Sequence, residues 1–463
     1  MPTQIDTRKL TKQTAAIVGP AEGAIAGGVN IEQIALIRYP KRGLTFEKFI
    51  NSSDLDVVDL IPRAKQIDIY YSVFDAAIHC EIQMLDSVDE LQNPETLILG
   101  EEYVAIQYRT PTSDESVRLL FRIYSIGDLV TLDNNKSRTY TLYAASPEAI
   151  DNAALSVFRR LKTNAGEDGS RISDIVSTIV KTDLKSQKPV RIEPSSGLVN
   201  KYLLNMYPLE AIDYLRQIAV SSTRPSSAFV FYESPTEYVF ATLEQLFADG
   251  LDNENVPSYL FDTIRHTDHD LPINNRALAY NQVVYVDNYT KLVSGGLSNV
   301  VLNLDLITGN FTNTKYNHLE KQGSFQFSEK AEQGYRNTEE FVREYVDDIP
   351  LSKMIVSSAT DTTTNLALKL ANQQAYALEL AQNVMQLYVY GNSDVRIGDV
   401  IRLDVVAPDG TPPTEDEEQP IRRSELISAR HLITKLRDTI KISDNPQHMQ
   451  SFELVKGHFL GAG

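Results

Sequence analysis

At 463 residues and 42% apolar side chains, the chain can build roughly two to four domains with real cores. Sixty-two acidic against 44 basic residues leave a net charge of −18, which disfavours a nucleic-acid binder held by phosphate neutralisation, although solubility alone accounts for such a charge equally well. The single cysteine, Cys80, excludes a disulfide within the chain, and no uninterrupted apolar run of about 18 residues offers a membrane span.

Residues 1–30 are polar, then small and glycine-rich, and read as a flexible arm. The stretch Ala15 to Val29 is broken by Pro20 and Glu22 and lacks a signal-peptide layout, so synthesis and maturation in a cytoplasm are expected. Gly23, Gly27 and Gly28 make no dinucleotide fingerprint, because no strand precedes them and no amphipathic helix follows. From residue 57 onward apolar residues recur at twos (Ile67, Ile69, Tyr71, Val73; then Ile78, Cys80, Ile82, Met84). The pattern continues through 97–109, 116–127 and 138–145, which predicts a closed antiparallel barrel over 31–145. Cys80 falls on the apolar phase, as a buried thiol would.

Residues 146–224 read as a helical connector. Ser146-Pro147-Glu148 starts a helix whose stripe is Ile150, Ala154, Val157, Phe158 and Leu161. A second helix covers Arg171 to Leu184, and a third begins at Pro208 and stops before Pro225. Residues 225–250 hold a hairpin turning at Ser234-Pro235-Thr236, with aromatics on both arms. Residues 251–358, rich in Asn, Asp and Tyr with short strands near 282–287 and 300–305, read as an inserted mixed domain.

Residues 359–463 begin with a long helix over Asn365 to Gln386 that runs into QLYVYGNSDVRIGDVIRLDV, two strands joined through Gly391-Asn392. Gly391, Asn392, Gly398 and Asp399 are the expected turn residues, with the two glycines supplying tight geometry. Pro412-Pro413 and the acidic run Glu415 to Glu418 mark a solvated loop over 406–420. Residues 430–440 and 449–455 form two more antiparallel strands around Ser443 to Pro446.

No catalytic, cofactor-binding or metal-ligating set emerges. His266-Thr267-Asp268-His269-Asp270 has metal-like residues, but no helix, strand or third cluster supports it, and a polar loop is the better reading. His79, His318, His431, His448 and His458 are scattered, and no Walker A, GxSxG, HExxH or paired-cysteine motif occurs. Tyr70, Tyr71, Phe229, Phe231, Tyr232, Tyr238 and Phe240 suit core and interface packing better than stacking platforms.

Three segments, taken in order, resemble the baseplate hub proteins of contractile-tailed, T-even-like bacteriophages and their relatives in contractile injection systems. They are Ile67 to Gln107 with its Gly100-Glu101-Glu102; Tyr207 to Phe247, a proline-started helix followed by an aromatic hairpin; and the C-terminal series with IGDVI and the closing hairpin HLITKLRDTIKI to SFELVK. The resemblance implies an α+β, mainly β fold: two tail-tube-like antiparallel barrels joined by the connector, the second built from 225–250 and 359–463 around the insertion. It implies a homotrimeric structural virion protein, not an enzyme, without cofactors, located in the tail baseplate and assembled in the host bacterial cytoplasm. Its implied partners are the tail tube or tube initiator, the central spike, the tape-measure protein and the baseplate wedges. DNA would pass through an acidic channel without stable binding, and no membrane insertion is implied. The alternatives are a hub-like part of a bacterial contractile injection system and, from the enzyme class, a baseplate-associated cell-wall hydrolase with its site in 251–358.

Overall fold

The structure is a computed structural model; it describes residues 27–38, 43–52, 54–87, 98–111, 113–132, 137–160, 169–199, 202–224, 227–253, 256–262, 275–284, 298–305, 309, 311–317, 353–357, 373, 384–406, 424 and 427–456. Residues 1–26, the His266 to Asp270 cluster and residues 407–420 lie outside this set, so the expectations made for them lie outside it too.

The chain enters on β1 (Asn30–Arg38) and crosses through α1 (Phe46–Asn51), where the Thr45 side chain accepts from Lys48 N. It continues through β2 (Asp56–Asp59), β3 (Ala64–Ser72), β4 (His79–Asp86), β5 (Tyr103–Arg109), β6 (Val117–Leu132) and β7 (Ser137–Ala145). Period-2 alternation decides the faces: Ile67, Ile69 and Tyr71 are buried while Gln66, Tyr70 and Ser72 point outward. The connector follows as α2 (Pro147–Asn152), β8 (Val157–Arg160), α3 (Ile172–Thr178, prolonged by a π-helical turn to Asp183), β9 (Val190–Ile192), β10 (Tyr202–Met206) and α4 (Pro208–Ile218).

Next come β11 (Phe229–Glu233), β12 (Tyr238–Thr242), α5 (Leu243–Asp252), β13 (Ser258–Phe261), β14 (Ala277–Val284), β15 (Ser298–Asp305), β16 (Phe311–Asn317) and β17 (Lys353–Ser357). The last four strands are β18 (Val384–Tyr390), β19 (Val400–Val405), β20 (Ala429–Lys441) and β21 (Gln447–Val455). The fold is mainly β, and its centre is one large sheet in the order β14-β18-β21-β20-β3-β4-β7-β6-β5-β1-β2, with β19 joining β20 to β13.

Residues 31–145 do not close on themselves among the described residues. Between β3 and the β1–β2 edge stands the β20–β21 hairpin: β20 pairs along β3 from Gln66 to Ser72, and β21 reaches back to the chain before β1 through the bridge Gly28–Gln447. Backbone bonds from Val29 N to Pro446 O (3.3 Å) and from His448 N to Gly27 O (2.7 Å) reinforce that bridge. The same hairpin belongs to a second circuit, β20-β21-β18-β14 and β20-β19-β13, whose two ends meet at the single parallel bridge Leu260–Arg276. Phe261 packs edge-on against Tyr280 there, with ring centroids 4.8 Å apart. One hydrophobic core runs continuously through both circuits.

Three further expectations change. The helix from Pro147 ends at Asn152, and Val157–Arg160 is instead a strand paired with β10. Val157 turns inward and Phe158 outward, a period of two that a helical reading of the same apolar residues misses. The 229–242 hairpin does not pair with residues 386–405; it forms a separate sheet, β11-β12-β9. Both its faces are apolar, so it works as a partition: Val230, Tyr232, Val239 and Ala241 face the main core, whereas Phe229, Phe231, Tyr238 and Phe240 face the connector core of α3 and α4. Finally, β13 and β14, assigned to the insertion by composition, are strands of the main sheet; of the expected insertion, the described strands β15, β16 and β17 form a sheet apart. Of the expected helix over Asn365 to Gln386, the described residues are Gln373, which is helical, and Val384 to Gln386, which are strand.

Because the two halves share one ladder and one core, they should unfold together. Leu142→Ala in β7 and Leu387→Ala in β18, both fully buried, should each lower stability by about 2–5 kcal/mol while leaving one transition by circular dichroism and tyrosine fluorescence. Two separate transitions would show independent halves.

Candidate functional site

The inward face of β20 carries a carboxylate, Asp438, between Leu436 and Ile440, where the alternation calls for an apolar residue. A buried carboxylate needs donors from the protein. Asp438 takes them from two strands: Tyr108 Oη on β5 donates to Oδ2 (3.0 Å), while Gln450 Nε2 and His448 Nε2 on β21 lie 2.9 Å from Oδ1. The edge of the Tyr108 ring meets the His448 imidazole, centroids 5.5 Å apart. Burial pushes the phenols of Tyr71 and Tyr108 well above their ordinary range, and the Asp438 charge adds to it. His448 has 0% exposure, so this His–Asp pair sits sealed between the two halves of the fold.

The turn residues expected from the sequence converge on the same place. Gly391 N donates to His448 O (2.9 Å), Asn392 N to Gln450 Oε1 (2.9 Å), and Gln450 Nε2 returns a bond to Asn392 O (3.0 Å). Gly391 is required by space: a Cβ there would overlap the His448 imidazole. Gly398 is required by conformation as well, at φ +82°, with the Tyr232 hydroxyl where its Cβ would be. Asp399 accepts from Arg396 N (2.8 Å), and burial raises its pKa against that bond. Ser393 bonds Thr110 after β5 (2.6 Å), and Arg396 Nη1 donates to Thr236 at the tip of the β11–β12 hairpin (3.3 Å). The loop from Gly391 to Asp399 thus ties β18, β5 and the partition together around a cavity of about 190 Å³ lined by Tyr71, Tyr108, Arg118, Ser393, Asp438 and Gln450.

The opposite, outward face of the junction is polar. Arg437 Nη2 lies 3.0 Å from Asp68 Oδ1 and its guanidinium sits over Tyr70, 5.3 Å from the ring centroid. Lys435 Nζ lies 2.9 Å from Glu453, and Tyr70 Oη donates to Glu81 (3.1 Å). The Tyr70 phenol is pushed up to about 12, chiefly by burial, with Arg437 opposing and Glu81 adding. On β3, β4, β20 and β21 the outward acids Asp68, Glu81 and Glu453 are matched by Lys435, Arg437 and Lys441, so the acidic excess of the chain lies off this strip.

Where partition, connector and β4 meet, Glu233 is fully buried, holding Lys188 Nζ at 2.5 Å and accepting from Ile78 N (3.1 Å); burial raises its pKa and Lys188 opposes the rise. Cys80 is a buried thiol whose pKa burial raises. His431 is a core residue whose Nδ1 lies 3.0 Å from Ala429 O. Among the described residues, no group of three or more His, Cys, Asp or Glu is placed to hold a metal, and no helix is long and apolar enough to cross a membrane. Asp438, His448, Gln450 and Tyr108 do not stand out from sequence motifs; polar residues on the inward phase of otherwise apolar strands are the signal that could have found them.

Gly391→Ala should destabilise by about 1–3 kcal/mol through overpacking against His448, read as a lower denaturant midpoint with unchanged slope. Burial, with Lys456 nearby, pushes His431 down to about 3. The folded pKa is depressed, so the stability this residue contributes is present above about 6.5 and lost as pH falls toward 3, by up to about 1.4 kcal/mol for each pH unit. Denaturation midpoints measured from pH 7 to 4 should fall more steeply in the wild type than in His431→Gln.

No family model matches the chain, and no curated protein matches it either. Solved structures do. A tail protein from Neisseria meningitidis aligns over 94% of this chain and 98% of its own at 11% identity and a TM-score of 0.49. A prophage tail protein from Shewanella oneidensis aligns over 93% and 100% at 9% identity and 0.45. An Escherichia coli component of the type VI secretion system aligns over 86% and 75% at 8% identity and 0.39.

Proposed function

We propose that this chain is a structural baseplate protein of a contractile tail: the homotrimeric hub that adapts a hexameric tail tube to a trimeric central spike. The observation that carries the reading is a pair of open sheet edges. Along β14-β18-β21-β20-β3-β4-β7-β6 the strands form one continuous strip. At one end, β6 pairs with β5 only from Val117 to Arg122; beyond Ile123 it pairs with β7 alone among the described residues. At the other end, among the described residues, β14 is laddered to β18 alone, and the chain just before it meets β13 through the Leu260–Arg276 bridge and the bond from Asn275 Nδ2 to Ser258 O (2.9 Å). The two edge stretches, residues 124–132 and 277–284, are nine and eight residues long and carry no second ladder among the described residues, and an exposed edge is a template for another strand.

Edge-to-edge association of copies is heterologous, and such an interface ends only by closing a ring. Three strips would supply about 24 strands, more than the 16 to 18 at which a barrel already leaves an aqueous channel. The layers that cover the apolar face of the strip, β1, β5, β13 and β19, have room only outside such a ring, which turns the polar face inward. Each copy carries two circuits of strands, so three copies present six, the number a hexameric tube requires. Tube or tube initiator, spike, tape measure and wedges are the corresponding partners, in the baseplate of a virion, with DNA passing through the ring.

Sedimentation should give three times the chain mass. Val283→Lys in β14 places a charge at an exposed position of the edge strand; it should yield a monomer with the wild-type circular dichroism spectrum, and Val130→Lys in β6 should do the same. A wild type that stays monomeric at high concentration would count against the hub.

A further inference from the structure

We infer that the polar strip across β4, β3, β20 and β21 is a non-adhesive passage surface for a polyanion, made so by cross-strand acids that hold its two central cations, Lys435 and Arg437; the inference rests on the ring proposed above, which turns this strip toward the channel. Repulsion by an acidic wall is not the device, because here Asp68, Glu81 and Glu453 are equalled in number by Lys435, Arg437 and Lys441, the last of which lies at the end of β20 between Gln66 and Gln447. Lys435 is held by Glu453 on the adjacent strand, 2.9 Å away. Arg437 is held more completely. Its Nε and Nη2 both lie near Asp68 Oδ1 (3.1 and 3.0 Å), its plane rests over Tyr70, and Asp68 is fixed from other directions by Thr439 Oγ1 (2.6 Å) and Gln66 Nε2 (2.6 Å).

Affinity for a duplex comes from cations that neutralise phosphates and release counterions. A cation already in contact with a carboxylate must break that contact first, so it anchors nothing. Between the clamped pairs the outward positions are neutral donors and acceptors, among them Ser72, Gln83, Ser451 and Gln386. A phosphate backbone crossing them meets short-lived hydrogen bonds in place of fixed charge.

The clamps can be released. Glu453→Gln keeps the side-chain size at a partly exposed position and frees Lys435 once per copy. In fluorescence anisotropy with a labelled duplex of about 30 base pairs at low salt, the wild type should bind weakly and Glu453→Gln about tenfold or more tightly, the gain fading as salt rises. Adding Lys435→Gln to Glu453→Gln should return binding to the wild-type level. The inference is overturned if Glu453→Gln gains nothing, or if Lys435→Gln alone weakens wild-type binding, since Lys435 would then already be an anchor. Sedimentation of the same samples separates the two readings. A trimer without the gain removes only the clamp inference, whereas a monomer removes the ring and the inference with it.

Discussion

Seven consecutive pairs, from Ser72 opposite Lys435 to Gln66 opposite Lys441, hold this fold together. They join chain segments about 370 residues apart, as at Asp68 and Arg437. Closing so long a loop costs little more entropy than closing a shorter one, because the cost grows only with the logarithm of length. What the ladder must supply is specificity of register. A slip by one residue would turn Leu436, Asp438 and Ile440 outward and Lys435, Arg437 and Thr439 into the core. Asp438 sharpens the choice among slips by two, which keep the apolar face inward: in the observed register it meets Tyr108, His448 and Gln450, and a slip by two moves a buried charge away from those donors. The polar network therefore selects one alignment out of several that apolar alternation alone would tolerate.

The same hairpin explains why the two halves cannot be separated cleanly. β20 and β21 complete the circuit of β1 to β7 and also that of β13, β14, β18 and β19. The partition β11–β12 adds a second coupling, with one face in each core, so the connector is fastened to the sheet by stacked aromatics on one side (Phe229 on Phe240, Phe231 on Tyr238) and by Val230 and Tyr232 on the other. Glu233, at the end of β11, binds Lys188 and Ile78 N and thus locks the connector to β4.

Much of this is legible in local pattern. The strands β4 and β21 follow period two nearly through their length and β20 does so from Lys435 onward, and α4 begins at a proline with an acid in its first turn. Pairing is what local pattern does not carry. Phe229 to Thr242 reads as a hairpin, yet nothing local says that its neighbour is Val190–Ile192. Composition places Ser258–Phe261 and Ala277–Val284 in an insertion, because a short parallel strand beside β19 and a strand interrupted by Asn281-Gln282 carry weak signals. Val157 to Leu161 fits a helical stripe as well as a strand, and only the partner β10 decides between them. Gly391 and Gly398 are both glycines with a reason, but the reason for Gly391 is His448, a residue that its own strand neighbours do not predict.

The chemistry of the edges separates those built to stay bare from those that are not. β2, at the far end of the sheet, is four residues long and has an aspartate at each end, two of the devices by which a monomer discourages edge pairing. β14 reads ALAYNQVV, with no charge and no proline in eight residues, and the free stretch of β6, YSIGDLVTL, has one acid and no lysine or proline. In a sequence where 23% of residues are charged, an uncharged edge strand is unusual protection for a solvent-facing one. Val283, Tyr124, Leu129 and Val130 are each about half exposed along these two edges. The chain thus guards the β2 edge with charge and shortness and leaves these two edge stretches, nine and eight residues long at opposite ends of one strip, without either device; that asymmetry is the physical basis of the ring proposed above.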